Sequence, residues 1–135
     1  MKPTPFSTLH AWLILLQFLS LPLLGHLLGT ASGHPALANL LTPFWVFVVF
    51  PLLDTWVGLD RRNPVPESET ALAAQMYWRL LPLAALPAYA LLLLWGAPRF
   101  ADLMDASPLA ALELGIAVGI VGGAIGITYA HELIH

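Results

Sequence analysis

The chain has no cysteine. That excludes disulfides, thiolate metal sites and cysteine nucleophiles. Charge is scarce as well: Asp, Glu, Lys and Arg make up 10% of 135 residues, where soluble domains carry about 25%. The Lys and Arg residues, 5 in all, form no basic patch, so no nucleic-acid partner is expected. Repeats of fixed period and low-complexity linkers are also missing. A deficit of charge this large points to lipid rather than water as the solvent.

What is present is apolar sequence in long runs, with 59% hydrophobic residues. A spanning helix needs about 20 mostly apolar residues. Four stretches reach that length, at about 9–28, 37–57, 77–97 and 109–130. The expected fold class is all-α, a polytopic transmembrane helical bundle. Residues 1–135 would form part of one membrane-embedded domain with a loop at 58–76. The first run, followed by TASGHPALA (30–38), has the outline of a signal peptide. However, the stretch from Leu9 to Leu28 exceeds the about 7–15 residues of a signal-peptide core, so we read it as an uncleaved span.

Lys and Arg near span ends mark the cytoplasmic side. Lys2 precedes span one, and Arg61, Arg62 and Arg79 lie in or beside the 58–76 loop. The first connection has no Lys or Arg, and the third has only Arg99, offset by Asp102 and Asp105. The bias places the N-terminus and the 58–76 loop inside, and span four then runs outside to inside. At a helical rise of 1.5 Å per residue, Glu113 and His131 are about 27 Å apart. That is close to the hydrocarbon thickness of about 30 Å. Glu113 is therefore expected near the outer interface, and His131 near the inner one with Asp54. Trp56, Tyr77 and Trp78 fit an inner aromatic belt and Trp95 an outer one.

Prolines 22, 43, 51, 82 and 87 fall inside the spans and predict kinks. Gly115, Gly119 and Gly123 share one face of span four. Small residues at that spacing let helix backbones approach closely, so tight packing is expected there. The alternative is a smooth wall beside an apolar substrate.

The chain ends in TYAHELIH (128–135). His131 and His135 are one helical turn apart, with Cβ atoms about 5–6 Å from each other. Two imidazoles so placed can ligate one metal ion or contribute to a pair. Ionisable residues at a spanning helix are functional candidates by default. Read alone, H-E-x-x-H resembles the zinc protease motif, in which Glu132 is a general base. Imidazole suits iron equally well, so the motif leaves zinc and iron open.

Three segments carry a more specific resemblance: PLLDTWVGLDRRNPVPES (51–68), MYWR (76–79) and GITYAHELIH (126–135). The first contains D-x5-D-x2-NP, formed by Asp54, Asp60, Asn63 and Pro64. In this order and spacing they resemble the integral-membrane alkane hydroxylases (alkane 1-monooxygenases), with xylene monooxygenases and fatty-acid desaturases as relatives. The resemblance implies a longer protein of six spanning helices in the bacterial inner membrane. It implies a cytoplasmic di-iron centre of two non-haem iron ions held by several histidine boxes. It further implies hydroxylation of the terminal carbon of an alkane by O2. Electrons would come from rubredoxin, itself reduced by a rubredoxin reductase.

Only the first histidine box maps here, onto His131 and His135 as metal ligands. We therefore expect the chain to be an N-terminal fragment, inactive on its own. Glu132 and Asp54 are candidates for supporting the ligands, although Asp54 could instead pair with Arg79. Trp45, mid-span, is a candidate for limiting the length of a bound substrate chain, with simple packing as the plainer role. His10, His26 and His34 are assigned no ligand role. The other readings are an intramembrane zinc protease and a non-enzymatic membrane scaffold.

Overall fold

The computed structural model describes residues 5–58 and 76–128, with side chains from Trp12 to Gly58, at Met76 and from Leu80 to Thr128. Every described element is a helix. Helix α1 (Pro5–Ser32) forms span one. Span two is jointed, with α2 (Pro35–Asn39), α3 (Leu41–Phe44), a π-helical turn π1 (Trp45–Val49) and α4 (Phe50–Val57). Helix α5 (Met76–Ala106) forms span three. Span four is α6 (Pro108–Val121) continued by a second π-helical turn, π2 (Gly122–Ile127). Among the described residues, four helical stretches are long and apolar enough to cross a membrane: Trp12–Ser32, Pro35–Val57, Leu80–Ala106 and Pro108–Ile127. The chain is a multi-pass membrane protein.

Local chemistry explains the joints in span two. Pro43 has no N–H for the Asn39 carbonyl and Pro51 none for that of Phe47. The helix breaks at Leu40 ahead of the first proline and widens into π1 ahead of the second. Span one turns into span two at Gly33, whose φ of 73° is a left-handed value open to glycine. Span three differs from expectation. Helix α5 continues nine residues past the predicted end at 97, through Pro98, Arg99, Asp102 and Asp105, to Ala106. Ser107 alone separates it from α6.

The core runs along the inner faces of spans one, three and four. Leu15 and Phe18 of α1 meet Leu81, Ala85 and Leu92 of α5 and Leu114, Val118, Val121 and Ile125 of span four. Many other leucines and phenylalanines face outward, as expected where lipid is the solvent. Spans one and two approach most closely at Gly25 and Gly29. A Cβ on Gly25 would stand 2.9 Å from the Ala38 carbonyl oxygen, and one on Gly29 2.7 Å from Pro35 Cα. The sequence here is GHLLG, the spacing of a close-approach motif.

The expected glycine seam in span four is not used in that way. Cβ atoms on Gly119 or Gly123 would meet nothing within 4 Å, and one on Gly115 would meet only the Phe100 ring, at 3.3 Å.

Candidate metal centre

His131, Glu132 and His135 lie outside the described residues. The structure does show the platform that leads to them. Ile125, 3% exposed, ends the core cluster on span four, so packing holds this helix almost to its described end at Thr128. This last stretch, from Gly122 to Ile127, is π2. A π turn closes i→i+5 rather than i→i+4 and so takes up one extra residue. That extra residue swings the following helix face by about 100°.

Tyr89 of α5 sits against the start of π2. Its hydroxyl donates to the Val118 carbonyl oxygen at 3.4 Å. The same hydroxyl occupies the place a Cβ on Gly122 would need. Glycine at 122 leaves room for the hydroxyl end of the Tyr89 ring. Beside it runs an outward-facing groove of about 370 Å3 lined by Tyr89, Leu93, Phe100, Gly115, Val118 and Gly119. The small-residue face of span four thus forms a smooth wall rather than a helix–helix seam.

Asp54 lies in α4 with its side chain exposed, and its carbonyl oxygen accepts the Gly58 N–H at 2.8 Å. The Arg79 side chain is outside the described residues, and so is the suggested ion pair. Trp45 opens π1 and is half-buried. Its indole N–H is buried and has no protein partner. Among the described residues, no three His, Cys, Asp or Glu side chains are grouped so as to hold a metal ion. The candidate centre therefore rests on the HELIH pair. Imidazole nitrogens one turn apart are chemically suited to iron, but two ligands fall short of a complete site.

His26, Trp95 and Arg99 gather higher in the bundle. The His26 ring meets Trp95 edge-on at 5.4 Å. Arg99 stands over the indole at 4.7 Å and donates to the Trp95 carbonyl oxygen at 2.8 Å. The partners of Trp95 thus come from two spans.

Two polar residues missed in the sequence lie deep in the structure. Asn39 is 1% exposed and Thr42 is fully buried. The available signal was an asparagine within an apolar run, which in lipid demands a partner.

Comparison with known proteins adds a second line of information. The chain is 39% identical over 125 residues to alkane 1-monooxygenase 1 of Pseudomonas aeruginosa, covering 92% of this chain and 32% of that protein. It is 37% identical over 125 residues to alkane 1-monooxygenase 2 of the same organism, covering 92% of this chain and 33% of the relative. The alkane 1-monooxygenase of Ectopseudomonas oleovorans is 28% identical over 130 residues, which are 93% of this chain and 31% of that protein. The chain thus spans about a third of the length of the curated relatives it matches. No family model and no solved structure matches.

Proposed function

We propose that this chain supplies four spans and the first histidine box of a membrane alkane 1-monooxygenase. The observation that carries the reading is 39% identity across 92% of the chain to a protein of that name. The similarity extends over spans that the structure gathers into one bundle around span four.

In this reading His131 and His135 bind iron at the inner end of span four, and a di-iron centre, when bound, supplies the oxidising chemistry that inserts oxygen into a terminal C–H bond. The remaining ligands come from outside these 135 residues. Residues of this chain would do the positioning. Packing around Ile125 and Val121 holds the end of span four that leads to the box. Glu132 and Asp54 would support the ligands through hydrogen bonds. Apolar walls admit an alkane directly from lipid and keep water from the oxidant. Trp45 limits how far a bound chain can extend.

The N-terminus and the box face the cytoplasm of a bacterial inner membrane, following the Lys and Arg bias. That placement exposes the centre to rubredoxin, which delivers electrons from its reductase. The test is product formation by the full-length protein in membranes. Given a medium-chain alkane, O2, rubredoxin and its reductase, it should form the 1-alkanol. Release of peptide fragments with no alcohol would instead favour the zinc protease reading.

A further inference from the structure

Among the described residues, four buried side-chain atoms have no hydrogen-bond partner: Asn39 Oδ1, Thr42 Oγ1, Trp45 Nε1 and Glu113 Oε2. Unpaired buried polar atoms are rare in native proteins, and each costs about 1–3 kcal/mol. Four in one small bundle call for a common explanation.

They lie on two neighbouring spans, two and four. Asn39, Thr42 and Trp45 follow one another at intervals of three along span two. Glu113 is on α6, against which α2 and α3 pack. Asn39 Nδ2 donates to the Ala110 carbonyl oxygen at 3.0 Å and fixes the register between the two spans. Both spans start at the same end of the bundle, so from that bond they run in the same direction. Three residues further along each, Thr42 and Glu113 reach the same level, about 4.5 Å deeper. Helical side chains lean toward the N-terminus, which is the direction from Trp45 to that level.

Thr42 also behaves unlike its counterparts. The hydroxyls of Thr30, Thr55 and Thr128 each donate to a carbonyl of their own helix, at 2.9, 2.8 and 2.7 Å. Thr42, with no solvent exposure, makes no such bond.

We propose that Asn39, Thr42, Trp45 and Glu113 enclose bound water between spans two and four. The valences match. Asn39 Oδ1 and Glu113 Oε2 are acceptors, whereas the Thr42 hydroxyl and the Trp45 N–H are donors. A water molecule offers two of each, and a buried water usually makes about three hydrogen bonds. The site links span two to span four independently of the Asn39–Ala110 bond.

Thermal unfolding of the full chain in lipid nanodiscs tests this through the sign of one change. Thr42→Val keeps the shape and removes only the hydroxyl. If water satisfies that hydroxyl, the valine variant melts below wild type, and Thr42→Ser, which restores the hydroxyl, melts above the valine variant. The loss shrinks when Glu113 is also replaced by Leu, because the two residues share the water. A valine variant that melts at or above wild type means the hydroxyl was a true orphan, and overturns the proposal. So does strict additivity of the two changes. The infrared carboxyl band of Glu113, isolated as wild type minus Glu113→Gln, needs no change at position 42. A band at hydrogen-bonded frequency supports the site, and one typical of a free carboxyl overturns it.

Discussion

The Asn39 side-chain amide donates to the Ala110 carbonyl oxygen at 3.0 Å, a buried bond between residues 71 apart in sequence. In lipid the hydrophobic effect does not press helices together, so such a bond carries unusual weight in deciding which helices meet. Replacing Asn39 by Leu should destabilise the bundle by about 0.6–1.7 kcal/mol, the span of measured interhelical hydrogen bonds. Reversible unfolding in mixed micelles measures it. A neutral leucine variant would show that packing alone sets this register.

Glycines of spans one and four should respond in opposite ways. Alanine at Gly25 or Gly29 pushes a methyl into backbone of span two, at 2.9 and 2.7 Å respectively. Overpacking of this kind costs about 1–3 kcal/mol. Alanine at Gly119 or Gly123 meets nothing within 4 Å and should stay within about ±0.5 kcal/mol. The same unfolding assay compares all four.

This contrast shows what the sequence could and could not convey. The four spans were legible because hydropathy reports directly on contact with lipid. Their helical ends were less so. Pro98, Arg99, Asp102 and Asp105 read as a loop because they are polar, yet α5 runs through them to Ala106. Hydropathy marks where lipid ends, and a helix satisfies its own backbone beyond that point. Spacing likewise picked out Gly115, Gly119 and Gly123 as one face, without saying what the face meets. The seam lies instead at GHLLG, where Gly25 and Gly29 meet Pro35 and Ala38. Asn39 and Thr42 passed unnoticed because their significance depends on span four. The HELIH motif was the plainest signal in the sequence, and it lies outside the described residues.

Gly122 and Tyr89 form a matched pair. Alanine at 122 must displace the Tyr89 ring, because its Cβ would overlap the hydroxyl. Gly122→Ala should therefore lower stability in the wild-type background and cost markedly less alongside Tyr89→Ala. A double-mutant cycle on thermal unfolding reads this coupling, expected at about 0.5–3 kcal/mol. Simple additivity would mean that Tyr89 yields freely.

Trp45 combines two chemical features that substitution can separate. Trp45→Ser opens space in the middle of span two, and in the full-length enzyme it should extend the accepted alkanes to longer chains. Trp45→Phe keeps a ring and removes the N–H, so the chain-length profile should stay near wild type. Gas chromatography of alcohols from a mixed alkane series checks both. Matching profiles for the serine variant and wild type would reduce Trp45 to a packing residue.

The most direct test of the account is Mössbauer spectroscopy of the full-length, iron-57-enriched protein beside its His131→Ala and His135→Ala variants. The account predicts a coupled iron pair in the wild type that is lost in either variant, while the bundle unfolds at an unchanged temperature. Retention of the iron-pair signal in both variants would contradict it.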